Sequence, residues 1–342
     1  MDATIASYLS KLEFGEPQQY KNMAVIPAFT SLDTSPKYLT MKEAIDKKLL
    51  SVTEVSEGGS VPELKVQNRA GIAVLLLDGE EVAGAKQNRV LNTTILLKEK
   101  SVTVIPVSCT EQGRWSHASE EFESSEEMIS PQIRMTKAAS VSAALGSFGE
   151  YKSDQSAVWS EIEEMATRAK VSSPTGAMKD VYKNKTEDLD KYLSAFRPVP
   201  HQKGLMIFID GKVVGLDFIS LESAFEILHP KLVRSYAMDA FLRSRKSSAP
   251  PSKDVAKAFL QEVTKADEKE YESIGLGWDH RFEGKSIVGS ALVYNDKVVH
   301  MAFFKVTRRS RKSQMEIHQR QWGFMGEADA EPPEEQVQRR VH

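Results

Sequence analysis

The chain has 342 residues, of which 41% are apolar and 27% charged, and its 45 basic and 48 acidic side chains give a net charge of −3. This composition is typical of a globular protein with a large core, and the charge balance gives no reason to expect nucleic acid as a partner. Cys109 is the single cysteine, so a disulfide within the chain is excluded. The first residues show no basic stretch followed by an apolar core, so we expect no secretory signal there. No run in the sequence approaches the roughly 20 apolar residues of a membrane helix. We therefore expect a cytoplasmic protein without membrane contact, and the composition leaves a homo-oligomer open.

The first third of the chain predicts mainly short strands. Residues 4–13 have apolar side chains at helical spacing, and Thr40 and Glu43 form the capping-box pattern that begins a second helix. Apolar and β-branched runs predict six strands, at residues 23–26, 51–55, 64–66, 72–77, 95–97 and 102–105. We expect Pro27 to end the first of these and Pro106 to mark the end of the last or an edge strand, because proline has no backbone N–H to donate.

The rest of the chain predicts helices and two hairpins. Residues 119–130 are acidic and serine-rich, which favours an exposed connection. Turns of the Asp-Gly and Asn-Asp type predict hairpins over residues 205–219 and 286–304. Capping residues and proline predict helices that begin near residue 131 and at Asp154, Thr186, Ser220, Pro230 and Ser252.

Together these elements predict an α+β fold. A mixed, largely antiparallel sheet from residues 23–107, 205–219 and 286–304 would be packed by helices from residues 131–196 and 220–265. We expect one compact domain over residues 1–305, with residues 119–200 as a helical insertion or subdomain. Few apolar residues follow, so residues 306–342 are predicted to be a mobile charged tail.

The densest set of polar side chains lies between the two apolar runs of residues 72–97. A buried polar group without a partner costs ~2–7 kcal/mol, so these groups must either bond one another or face a ligand. In the ligand-site interpretation, Arg89 binds a phosphate or carboxylate, and Gln87, Asn88 and Asn92 read an amide or base edge. In the structural interpretation, Arg89 pairs with an acidic neighbour in a buried network.

The acidic residues of this stretch allow further chemistry. Glu80 or Glu81 would be the general base if the protein catalyses a reaction. Strand alternation would place Glu81 and Arg89 on one face of the sheet, unless the Gly84-Ala85 step changes the phase. Asp78, Glu80 and Glu81 also present the oxygen ligands that magnesium prefers, although acidic turns are more often solvated.

The following strand ends in a polar loop with three further candidates. Arg114 and Trp115 are suited to stack on a base or ribose, or form an ordinary buried aromatic with a surface charge. Cys109, with His117 nearby in sequence, is a candidate nucleophile, although a cysteine ending an apolar strand is more often a small core residue.

Two long motifs, DGEEVAGAKQNRVLNTTILL at residues 78–97 and IPVSCTEQGRW at 105–115, carry a family resemblance. They resemble the signature of the family named for its association with ADP-ribosylglycohydrolases and the rhodanese-phosphatase superfamily. Shorter similar segments at residues 38–45, 61–64, 229–240 and 289–304 extend the resemblance over residues 20–305.

The resemblance implies an ADP-ribose or NAD context, but no established reaction and no defined cofactor. The leading hypothesis is therefore binding, or binding and processing, of an ADP-ribose- or NAD-type nucleotide or conjugate. The alternative is a non-catalytic interaction or assembly module whose central polar motif is a buried structural network.

Overall fold

The computed structural model describes residues 1–32, 36–116, 118–243 and 251–306. These residues form eight helices, namely α1 (Ala3–Ser10), α2 (Met41–Asp46), α3 (Pro131–Phe148), α4 (Gln155–Ala169), α5 (Met178–Asn184), α6 (Thr186–Ala195), α7 (Glu222–Leu242) and α8 (Lys253–Val263). The α+β class predicted from the sequence is confirmed. The predicted tail lies outside these residues except for Val306, as does His117.

Eighteen strands in the described residues form three sheets, where we expected one. The nine-stranded sheet contains β1 (Glu13–Phe14), β2 (Gln18–Tyr20), β3 (Met23–Phe29), β13 (Gly204–Ile209), β14 (Lys212–Ile219), β15 (Asp267–Glu272), β16 (Trp278–Glu283), β17 (Ile287–Tyr294) and β18 (Lys297–Lys305). The three-stranded sheet contains β4 (Tyr38–Thr40), β7 (Ala73–Leu76) and β10 (Ile95–Leu97). The six-stranded sheet contains β5 (Leu50–Glu54), β6 (Glu63–Asn68), β8 (Glu80–Gly84), β9 (Arg89–Leu91), β11 (Ser101–Cys109) and β12 (Phe122–Met128).

The nine-stranded sheet separates two apolar layers because side chains alternate along its strands. Val25 and Ile207 face the core beneath α3 and α7, whereas Ala24 and Phe208 face the core beneath α1 and α8. A third core fills the space around the six-stranded sheet and α2. The central polar stretch crosses between these cores, so its polar side chains are buried from both sides.

Local signals act as predicted at several element ends. Thr40 and Glu43 form the complete capping box of α2, and Asp154 accepts a hydrogen bond from the N–H of Ala157 at the start of α4. Asp210 and Gly211 have φ values of +54° and +74° in the turn between β13 and β14. These left-handed conformations match the twist of a two-residue hairpin, which explains why the Asp-Gly signal was correct.

Two proline predictions were wrong. Pro106 lies inside β11, at the point where its partner changes from β6 to β9, so the missing N–H falls where the ladder is already interrupted. Pro27 lies inside β3, between the short stretches that pair with β2 and with β1. A strand tolerates proline at such a gap because no partner there requires its missing N–H.

Three further predictions were wrong, two at helix α7 and one at strand β12. Pro230 lies within α7, and Ser220 bonds Tyr38 through its hydroxyl and does not cap the helix. Residues 122–128, expected in an exposed connection, form β12 and pair with β8. Packing of Phe122 and Met128 into the core outweighs the acidic composition of this segment.

Candidate functional site

The β8–β9 hairpin carries most of the candidate side chains, and its register decides which of them face each other. Arg89 lies opposite Val82 in β8 and opposite Cys109 in β11, whereas Glu81 lies opposite Val90. Directly paired residues share a face of the sheet, so Arg89 and Glu81 point to opposite faces. The alternation of side chains between the two faces of the sheet is interrupted at Gly84 and Ala85, whose φ values are +127° and +35°. The expectation that Glu81 and Arg89 share a face was therefore wrong.

The Arg89 guanidinium is buried and has no carboxylate partner in the described part of the chain. Its side chain is 0% exposed, and its Nη1 donates to Gln87 Oε1 at 3.0 Å and to the Asn88 carbonyl at 3.4 Å. Nε and Nη2 are buried and have no hydrogen-bond partner among these residues. Burial lowers the pKa of Arg89, and the nearby Cys109 and Glu54 act in the opposite direction.

A second cation and an aromatic ring lie beside Arg89. The Trp115 ring centroid is 5.7 Å from Arg89 Cζ and 5.4 Å from Lys86 Nζ, so both cations interact with one ring. Lys86 Nζ donates to the carbonyls of Glu57 and Gly58 at 2.6 Å each. Trp115 is 49% exposed and therefore forms the solvent-facing cover of two buried cations.

Gln87 connects Arg89 to the thiol of Cys109. The Gln87 Oε1 atom accepts from Arg89 and from the Cys109 S–H, which lies 3.1 Å away. Burial raises the pKa of the Cys109 thiol, and the side chain is fully buried. A neutral, inaccessible thiol is a weak nucleophile, so this geometry favours the packing interpretation of Cys109.

Arg114 and Asn88 form hydrogen bonds that hold the loop after β11 against the β8–β9 turn. Arg114 donates to the Ala85 carbonyl at 2.7 Å and to Glu111 at 2.6 Å, with a longer bond to Asn88 Oδ1 at 3.3 Å. Asn88 Oδ1 also accepts from the N–H of Gly84 at 3.1 Å. Both side chains are occupied by protein groups, so they hold the loop that places Trp115 over Arg89.

Glu54, at the end of β5, belongs to the same site and was missed in the sequence. Its Oε1 accepts from the Lys86 N–H at 3.3 Å, whereas Oε2 is buried without a partner among the described residues. Its nearest signal in the sequence was the Gly58-Gly59 turn, which alone indicates only a loop. No spacing rule joins it to Arg89, 35 positions later.

The acidic half of the motif is largely a paired network. Glu80 accepts from Lys231 Nζ at 2.8 Å and from the N–H of Leu77 at 3.0 Å. Asp78 pairs with Lys137 and lies 3.6 Å from Arg134 Nε. Lysine or arginine therefore pairs with Asp78 and Glu80, two of the three carboxylates proposed for magnesium. In the described ranges, no group of three or more His, Cys, Asp or Glu side chains could hold a metal ion. This half of the stretch fits the structural interpretation.

Glu81 accepts from hydroxyl groups and forms no ion pair with the residues that the structure describes. Thr110 and Ser125 each donate to its carboxylate at 2.8 Å. The side chain is fully buried, and burial raises the pKa of Glu81 to about 7. Such a carboxyl group can exchange a proton near neutral pH, but it does so on the face opposite Arg89.

Asn92 also lies away from Arg89. Its Nδ2 donates to the Tyr151 carbonyl at 3.1 Å, and its Oδ1 accepts from Ser108 at 2.5 Å. The structure thus gathers five of the eight candidates, Gln87, Asn88, Arg89, Arg114 and Trp115, with Lys86 and Glu54 beside them. We call Glu54, Lys86, Gln87, Arg89 and Trp115 the Arg89 site.

Comparison with known proteins identifies the family. The model of the ARG and Rhodanese-Phosphatase-superfamily-associated Protein domain matches residues 11–304, so the chain belongs to that family. No curated protein and no solved structure matches the chain. In the described residues no helix has the length and apolar character needed to span a bilayer.

Proposed function

We propose that this member of the family binds a phosphate-bearing nucleotide of the ADP-ribose type at the Arg89 site. The proposal rests on one observation: the buried Arg89 guanidinium presents two nitrogen atoms with no partner in the described residues. A buried donor left unsatisfied costs about 1–3 kcal/mol, and more when it is charged. A bound anion would supply the missing acceptors, and planar guanidinium groups match phosphate oxygens in pairs.

The surroundings of Arg89 support an anion in place of a neutral ligand. Lys86 also lacks an ion pair in the part of the chain described. Two buried cations without a carboxylate partner therefore contact the Trp115 ring. Trp115 is half-exposed, so its ring borders solvent on one side and the two cations on the other. We expect a ligand to displace this ring from Arg89 and to use it as an aromatic face for a base. The family name adds an association with ADP-ribose chemistry.

The proposed binding requires no catalytic step. Glu80 is held by Lys231, and Glu81 lies on the opposite face of the hairpin. The structural interpretation therefore applies to one part of the central stretch and the ligand-site interpretation to another. Its acidic part, with Asp78 and Glu80, supports a scaffold role, and its basic part supports recognition.

A thermal-shift and calorimetry panel of ADP-ribose, NAD, ADP and phosphate tests the proposal. At ~100 times its dissociation constant, a ligand stabilises the native state by about 2.7 kcal/mol. We expect at least one nucleotide to raise the melting temperature of the wild type, and Arg89→Met to abolish the rise. Arg168→Ala removes an equal charge from a half-exposed position on α4 and should leave the rise unchanged. A flat panel, or an equal rise in Arg89→Met, would overturn the proposal.

A further inference from the structure

Glu54 has a buried acceptor without a partner in the described residues, and its charge interacts with that of Arg89. The side chain is 8% exposed, and its Oε2 atom has no donor among the described residues. An ionised carboxylate accepts hydrogen bonds and donates none. Buried carboxylate oxygens are normally paired, so this atom needs a donor that the described protein groups do not supply.

Glu54 lies in the same site as Lys86 and Arg89. A Cβ atom placed on Gly59 would lie 3.3 Å from Glu54 Oε2 and 3.1 Å from Lys86 Cδ, so both side chains border one point. Gly59 has a φ of +74°, a conformation that glycine adopts without strain. The charges of Glu54 and Arg89 also interact. No direct hydrogen bond joins the two side chains in the structure, which leaves each with unused capacity.

We propose that Glu54 is a specificity residue that accepts a hydrogen bond from a sugar hydroxyl of the ligand. This inference rests on the proposed function of the Arg89 site. A ligand that satisfies both residues must carry an anionic acceptor for Arg89 and a hydroxyl donor for Glu54. Nucleoside and sugar phosphates carry both groups, and acidic side chains bind ribose hydroxyls in dinucleotide sites by the same chemistry.

Glu54 also gives a reason for the site to reject bare polyphosphate. Pyrophosphate supplies acceptors to Arg89 and Lys86 but brings like charge to the Glu54 carboxylate. Like charges in a buried site repel strongly, because the local dielectric constant is low. The site as a whole therefore selects a phosphate that is attached to a hydroxyl-bearing sugar.

Calorimetric titration of the full chain with ADP, 2′,3′-dideoxy-ADP and pyrophosphate tests this inference. A hydrogen bond to a charged group implies that the wild type binds ADP about tenfold or more tightly than dideoxy-ADP. E54Q should lose most of this preference and bind pyrophosphate more tightly than the wild type does. Glu54→Asp keeps the charge with a shorter side chain, so it should lose the hydroxyl preference and still exclude pyrophosphate.

Three other outcomes would contradict either the role of Glu54 or the Arg89 site itself. Equal binding of ADP and dideoxy-ADP by the wild type, with neither bound by Arg89→Met, would refute the role of Glu54 and leave the Arg89 site standing. Equal weakening of both nucleotides in E54Q, with a lower unfolding midpoint, would assign Glu54 to support of the Lys86 backbone alone. Failure of the wild type to bind any nucleotide would overturn the proposed function and this inference with it.

Discussion

Replacing Arg89 should change the free energy of unfolding of the free protein by little or increase it. In Arg89→Met the two unpartnered buried nitrogens disappear, which relieves about 1–3 kcal/mol each. The losses are one good hydrogen bond to Gln87, worth about 1 kcal/mol, and the contact with Trp115, worth about 0.5–1 kcal/mol. A small void adds about 1 kcal/mol. The net expectation ranges from a loss of about 1 kcal/mol to a gain of about 3.5 kcal/mol.

Arg134 is the matched control because it is equally buried but, unlike Arg89, is paired with a carboxylate through both of its terminal nitrogens. It donates to both oxygens of Asp217, at 2.7 and 2.9 Å, and both side chains are 0% exposed. Arg134→Met leaves a buried carboxylate without its main partner, which costs about 3–5 kcal/mol. Two substitutions of the same chemical type should therefore have opposite or very different effects on the free energy of unfolding.

Calorimetric or spectroscopic melting of the two variants measures the difference. With about 2.1 cal/mol/K of unfolding entropy per residue over 342 residues, 1 kcal/mol corresponds to about 1.4 °C. A gap of about 4 kcal/mol between the variants then appears as about 6 °C. If Arg89→Met melts as low as Arg134→Met, Arg89 is a structural residue and the reasoning behind the ligand site is refuted.

Three further measurements follow from the neighbouring groups. The raised pKa of Glu81, about 7 against 4.5 in the unfolded chain, makes wild-type stability fall as pH rises between these values. The free energy of unfolding of Glu81→Gln should exceed that of the wild type by about 3 kcal/mol at pH 8 and equal it at pH 4. Denaturant titrations at both pH values measure this difference. In the same titrations, Lys231→Met should lower the free energy of unfolding by about 3–5 kcal/mol, because it leaves Glu80 unpaired. Adding Glu80→Gln to this variant should recover much of the loss, and a double variant without recovery would contradict the pairing. Cys109, buried with a raised pKa, should react with a thiol reagent only after unfolding; rapid labelling of the native protein would restore it as a nucleophile candidate.

Local features of the fold could be read from the sequence because their causes are local. The capping box at Thr40 and the Asp210-Gly211 turn each act within four residues, through backbone groups that any sequence of that type presents. The β15–β16 pair was not predicted, because residues 267–283 are charged and lack a clear apolar alternation. β16 pairs with β17 and β15 pairs with β16, so sheet hydrogen bonds formed with distant residues add to the weak local preference of this segment.

The sequence by itself determined that a dense polar motif lies between buried strands and must be paired or bind a ligand. Which of these holds for each residue was decided by partners far away in the chain. Lys231 neutralises Glu80 from 151 positions away, whereas no comparable carboxylate reaches Arg89 in the described chain. The turn at Gly84 also reversed the phase of the strand and separated Glu81 from Arg89. Electrostatic pairing depends on distance in space, and spacing along a sequence gives that distance only within one helix or strand.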